Sequence, residues 1–180
     1  ETAMQEIAFN TSSCDNLTTS ISSTDICIGD ELTLEATSEN GGIISWDGGV
    51  VNGVPFVPAA AGEYTYTATS DNEDDCDFSV DIIVHELPTI NAVAFPPEIC
   101  LGETVLFGGT GGETYEWDLG VVNGVPYEPL SVGISTYTVI GTDEFGCQNT
   151  DEVDILVGAP PIVDFEFVVD GVSSEDGSTG

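Results

Sequence analysis

The sequence predicts an all-β chain made of two tandem sandwich modules. Three observations carry this: apolar and polar residues alternate in short runs, turn-forming residues fall between the runs, and one long motif occurs twice. The motif begins at Ile26-Cys27-Ile28-Gly29-Asp30 and returns at Ile99-Cys100-Leu101-Gly102-Glu103. Trp46-Asp47 is answered by Trp117-Asp118, and Gly49-Val50-Val51-Asn52-Gly53-Val54-Pro55-Phe56 by Gly120-Val121-Val122-Asn123-Gly124-Val125-Pro126-Tyr127. Tyr66 and Cys76 match Tyr137 and Cys147.

Each element follows from its pattern. Leu32, Leu34 and Ala36 alternate with Thr33 and Glu35, and Val105, Phe107 and Gly109 repeat the arrangement. Tyr64, Tyr66 and Ala68 alternate with Thr65 and Thr67. A period of two gives each strand one buried and one wet face. Trp46 and Trp117 are placed on a central strand of each copy, filling the space between sheets. Asn52-Gly53 and Asn123-Gly124 signal tight turns, since both residues tolerate positive φ. Ile82-Ile83-Val84 and Ile155-Leu156-Val157 are the expected last strands. Short strands and about 70 residues per unit indicate an immunoglobulin-like β-sandwich.

The expected organisation is a tail of a preceding unit or N-terminal strand in residues 1–16, module one in 17–87, module two in 88–158, and the start of a further module or a C-terminal strand in 159–180. Trp46, Trp117, Tyr66 and Tyr137 are the expected large core residues. The cysteine positions predict one disulfide per module, Cys27 with Cys76 and Cys100 with Cys147, each closing a loop worth about 4 kcal/mol on the chain-entropy model. Such bridges imply an oxidising compartment. Zinc is the competing use, but no Cys-x-x-Cys pair occurs and the chain has a single histidine. Cys14 is left for a partner in a preceding module or another chain.

Charge excludes several functions. The chain has 33 Asp and Glu residues and no Lys or Arg. It repels nucleic acid, which is bound through cationic neutralisation of phosphates, and has no polybasic patch for an anionic membrane. No apolar run approaches the roughly 20 residues of a spanning helix. With no lysine or arginine salt bridge available, its carboxylates must face water, accept hydrogen bonds or hold metal ions.

Tyr115-Glu116-Trp117-Asp118, Gly124-Val125-Pro126-Tyr127 and Ser135-Thr136-Tyr137 through Phe145-Gly146-Cys147 resemble the Ig-like or PKD-like repeats of very large surface adhesins of Bacteroidetes, including those involved in gliding. The resemblance covers about residues 22–158. It implies export, by the type IX route, a cell-surface location and service as stalk or adhesive repeats, with no catalytic residues. Module one departs from the pattern at Asp71-Asn72-Glu73-Asp74-Asp75-Cys76, where the family has a Thr-Asp-x-x-Gly-Cys turn. Residues 161–171 look like the opening strand of another PKD-like module.

Reaction chemistry has few tools. His85 stands between the modules without a counterpart, and its expected role is that of a solvated linker residue rather than the base of a triad. No lysine or arginine is present for phosphoryl transfer, and no carboxylate pair is singled out for glycoside hydrolysis. Asp71, Asp74, Asp75 and Asp77 crowd one hairpin. Their oxygens suit calcium, although a solvated acidic turn is the favoured reading and no EF-hand spacing is present.

The sequence therefore predicts a non-enzymatic, extracellular structural or adhesive repeat, needing no cofactor except calcium as a candidate. Its expected partners are neighbouring modules of the same or identical chains, with residues 3–9 and 162–169 as candidate donor strands. The alternative is a carbohydrate-binding or spacer module of a secreted polysaccharide-degrading enzyme. It would use surface glycans as partners, through an aromatic strip drawn from Tyr64, Tyr115, Tyr127 and Phe145.

Overall fold

The computed structural model describes residues 17–72 and 77–161. Module one comprises β1 (Leu17–Ile21), β2 (Asp25–Cys27), β3 (Leu34–Ser38), β4 (Ile44–Trp46), β5 (Gly62–Ser70) and β6 (Phe78–His85). Module two comprises β7 (Asn91–Phe95), β8 (Glu98–Cys100), β9 (Val105–Thr110), β10 (Thr114–Trp117), β11 (Pro126–Tyr127), β12 (Gly133–Thr142) and β13 (Gln148–Gly158).

Each module stacks two sheets. In module one, β1 pairs with β3, and the second sheet runs β2-β6-β5-β4. In module two the sheets run β11-β9-β7 and β10-β12-β13-β8. Module one reduces the counterpart of β11 to a single bridge, Leu32 to Phe56. In both copies a short strand pairs in parallel with the last strand: Cys27 opposite His85, and Cys100 opposite Gly158. These are the layers of an immunoglobulin-like sandwich.

The alternation read in the sequence sets the cores. Leu34 and Ala36 on β3 meet Tyr66, Ala68, Val80, Ile82 and Val84 on β5 and β6. Val105 and Phe107 on β9 meet Tyr137, Ile155 and Val157. Phe107 packs edge-on to Trp117 and Tyr127 and tilted against Tyr137, 4.6–6.1 Å between ring centroids. The two cores share no residue, so each module buries its own apolar face.

Two sequence expectations are corrected. The tryptophans lie on edge strands, not central ones, because the long β5–β6 and β12–β13 hairpins occupy the sheet centres. More important, the bridge joins Cys27 to Cys147 across the modules, with Cα atoms 5.6 Å apart, and Cys100 is a free, exposed thiol. Neither expected intramodular pair, Cys27–Cys76 or Cys100–Cys147, forms. The parallel pairing explains why. Cys100 faces Gly158 at the end of β13, whereas Cys147 immediately precedes its start, and 11 residues of strand separate the two ends. At ~3.3 Å per residue that is about 35 Å, while bridged Cα atoms lie within ~7 Å. In module one, Cys27 faces His85 at the end of β6, and β6 begins at Phe78, two residues after Cys76. Cys76 and Cys14 themselves lie outside the described residues, as do residues 3–9 and 162–169.

Candidate functional site at the module junction

The junction is built from β2 and β6 of module one and the β12–β13 turn of module two. Cys27 is held by its own loop: its N–H donates to Asp30 Oδ2 at 3.0 Å, its carbonyl accepts from Asp30 N at 3.0 Å, and Ile28 N donates to His85 O at 2.8 Å. From module two, the carboxylate of Asp143 folds the turn, its Oδ1 accepting from Phe145 N at 2.9 Å and Cys147 N at 2.8 Å. Gly146, at φ +85, supplies the left-handed residue that closes it. The result turns Cys147 fully inward and leaves Phe145 projecting.

Phe145 stacks on His85 with ring centroids 4.0 Å apart and planes 13° from parallel. His85 also hydrogen-bonds Asp25 through Nε2 at 3.1 Å. His85 is therefore a contact residue between modules rather than the solvated linker residue the sequence suggested. The linker is tied down beside it: Asn149 Nδ2 donates to Pro88 O at 2.9 Å, and Ala92 N donates to Asp151 Oδ2 at 2.7 Å. A Cβ on Gly141 would collide with Ile90, which is buried. The junction thus carries a covalent bond and a ring stack between the modules, with Pro88 and the first strand of module two pinned to β13 beside them. Chemically, it can fix one module against the next.

The repeated Trp-Asp and Asn-Gly pairs brace each sandwich. Asn52 Oδ1 accepts from Trp46 Nε1 at 2.9 Å and Ala36 N at 2.8 Å, while its amide donates to Ala36 O at 3.0 Å. Asn123 likewise accepts from Trp117 Nε1 at 3.1 Å and Gly109 N at 2.8 Å. Only the glycine of each pair has positive φ, +70 at Gly53 and +73 at Gly124. The Asn is present for its amide, and the turn lies in a long connection rather than a two-residue hairpin. Asp47 and Asp118 accept from Thr67 N and Thr138 N at 3.0 and 3.1 Å, extending the edge strand's pairing with a carboxylate. Other carboxylates are used the same way: Asp30, Glu103, Asp71, Asp143 and Asp151 all accept backbone N–H groups, the strong charge-assisted kind of bond.

The predicted core residues sit as follows. Trp46, Tyr66 and Tyr137 are buried and Trp117 is half-buried against its core. Burial raises the phenols of Tyr66 and Tyr137 above the ordinary 10.0, helped by the neighbouring tyrosines Tyr64 and Tyr127 and by Asp47 and Asp118 respectively.

The remaining candidates are dispersed in role. Tyr64 donates to Ala60 O, Tyr115 to Gly112 O and Tyr127 to Leu119 O, while Phe145 is in the junction stack. Of the calcium candidates, Asp71 Oδ1 accepts from Ile43 N at 2.6 Å, Asp77 is exposed, and Asp74 and Asp75 lie outside the described residues. Among the described residues no three metal-ligating side chains cluster. An open groove near Val54 and Phe56 has Tyr66 as its one titratable group. No described helix is long and apolar enough to cross a membrane.

No protein-family model matches the chain, and no curated protein matches it in sequence. Solved structures do. The fibronectin(III)-like modules of CbhA from Clostridium thermocellum are 16% identical, with 79% of this chain and 94% of that one covered and a TM-score of 0.37. The N-terminal four Ig domains of Dscam1 isoform 9.44 are 13% identical, covering 86% and 48%, with a TM-score of 0.30. The N-terminal eight Ig domains of Down Syndrome Cell Adhesion Molecule isoform 1.30.30 are 14% identical, covering 76% and 25%, at 0.29. The chain thus spans less than half the length of these Ig-domain chains.

Proposed function

We propose that this chain is a non-catalytic structural repeat of a secreted surface protein, a segment of stalk or extracellular filament whose modules are locked in series. The observation that carries this reading is the Cys27–Cys147 bond, which ties consecutive modules to each other instead of stapling each one internally. A spacer that must hold its direction gains from such a bond, because a linker of a few residues restrains distance but not angle. The bond also suits an oxidising, extracellular setting. The absence of lysine and arginine from the sequence fits the same setting, since it leaves no site for proteases that cut at basic residues.

The test is shape. Small-angle scattering of the oxidised chain should give one elongated form, and reduction should broaden the distribution of angles between the two modules of a particle seen by negative-stain electron microscopy. Equal angular spread before and after reduction would remove the reading of a locked spacer. Binding of the chain to a glycan array, lost on Tyr115→Ala, would favour the carbohydrate-binding alternative. Calcium enters as an accessory at the turn carrying Asp71 and Asp77: a modest rise in melting temperature at millimolar calcium is expected, and no response to calcium or chelator would exclude it.

A further inference from the structure

Module two ends in a thiol whose counterpart in module one is already bonded to the next repeat. The two positions make the same set of hydrogen bonds. Cys27 N donates to Asp30 Oδ2, and Cys100 N to Glu103 Oε2 at 2.8 Å. Ile28 N donates to His85 O, and Leu101 N to Gly158 O at 2.9 Å. Ile83 N donates to Thr24 O at 2.8 Å, and Leu156 N to Pro97 O at 3.1 Å. Each cysteine also ends a short strand paired in parallel with the last strand of its module. One of these two equivalent sulfurs carries the following module's turn cysteine; the other is exposed and free.

Two further observations point the same way. The segments leaving the two modules carry a proline at the same position, Pro88 and Pro161, three residues past the end of the paired strand. And the exit end of module two shows apolar side chains to solvent: Leu130 is 86% exposed, Val132 55% and Leu101 39%. By the strand register Val132, just before Gly133, lies near Val157 and hence near Cys100. The corresponding positions of module one hold Ala59, Ala61 and the half-buried Ile28.

We infer that the Cys100 end of module two is the docking face for a following repeat of the same polypeptide, and that Cys100 bonds that repeat's turn cysteine as Cys27 bonds Cys147. The rule is one disulfide per junction: the first cysteine of each repeat with the turn cysteine of the next. Closing the bond takes one proton and one electron from each thiol. The oxidant is a small-molecule or protein disulfide, which accepts both and leaves as two thiols. This goes beyond the stalk reading by setting how the stalk is cross-linked, and it rests on the repeat equivalence rather than on any adhesive role. The next junction has Gly158 where the first has His85, so it lacks the ring stack and depends more on its sulfur bond.

The test uses an extended chain: residues 1–161 followed by a second copy of residues 89–158, the module shown above to close its own core. In the added copy Cys100→Ser removes the duplicate thiol, and Thr150→Ser, at an exposed position, marks the turn peptide by mass. The chain is oxidised in glutathione buffer, its free thiols are alkylated, and the unreduced chymotryptic peptides are analysed by mass spectrometry. Two bridges are expected: Cys27 to the unmarked Cys147, and Cys100 to the marked one, with loss of alkylation at Cys100 relative to the 180-residue chain. Cys100 still alkylated beside an intact Cys27–Cys147 bond would overturn the inference. So would Cys100 joined to a second chain, or absence of the Cys27–Cys147 bond. A shape measurement unaffected by reduction would count against the stalk without touching this result.

Discussion

Asn52 is the residue that the rest of module one's edge leans on. It satisfies the indole of Trp46 and both backbone groups of Ala36 from one side chain. Asn52→Ala strands these partners at buried positions, and each unsatisfied group costs about 1–3 kcal/mol. Urea unfolding of Asn52→Ala should show the midpoint fall while Asn52→Asp, which retains an acceptor, falls less. Equal loss in both would assign the effect to the turn and not the amide. Tyr66 and Tyr137 give a pH dependence of defined sign. Their folded phenols ionise above the ordinary 10.0 because burial penalises the charged form. Their contribution to stability is therefore complete below about pH 10. It declines as pH rises through the folded values, because the unfolded chain releases those protons first. Tyrosinate absorbance should show two groups titrating late, and Tyr137→Phe should remove one of them.

The Asp143 turn belongs to the scale of elements. Its carboxylate, not a glycine-rich sequence alone, sets the loop that carries Phe145 and Cys147. Asp143→Ala should leave both sandwiches folded yet make the Cys27–Cys147 bond reducible at lower dithiothreitol concentration. Reduction kinetics compared with the parent protein measure this directly, and unchanged kinetics would show that the bridge itself orders the turn. Strands were legible at this scale because a period of two is written locally, as in Leu32-Leu34-Ala36 and Tyr64-Tyr66-Ala68. Strand neighbours were not. Nothing in Ile26-Cys27 or Ile99-Cys100 announces parallel pairing with the last strand, and that pairing sets where each sulfur ends up. The signal that could have revealed the junction was His85, a residue without a counterpart at the position facing Cys27.

For the whole molecule, the bridge closes a loop spanning a sequence separation of 120 residues. The chain-entropy model assigns a loop of that length about 4–5 kcal/mol. Cys27→Ser combined with Cys147→Ser should therefore lower the melting temperature of both modules and separate their transitions, read by calorimetry. A single unaltered transition would show that the Phe145–His85 stack couples the modules unaided. At −33 formal charge, the modules also repel each other, so the loss should be larger at low ionic strength than at high.

The all-β class, the duplication and most of the core could be read from the sequence, because alternation and repetition are local properties of a chain. Tyr66 and Tyr137 are buried on their alternating strands, while Trp46 is buried from an edge strand and not a central one. The partner of each cysteine was decided only in three dimensions. Two cysteines in one copy lie at opposite ends of a strand, and two in successive copies meet, because a sandwich carries its entry turn and its exit strand on opposite ends. Sequence spacing measures distance along the chain; a disulfide responds to distance through space, which the folding of each strand reverses.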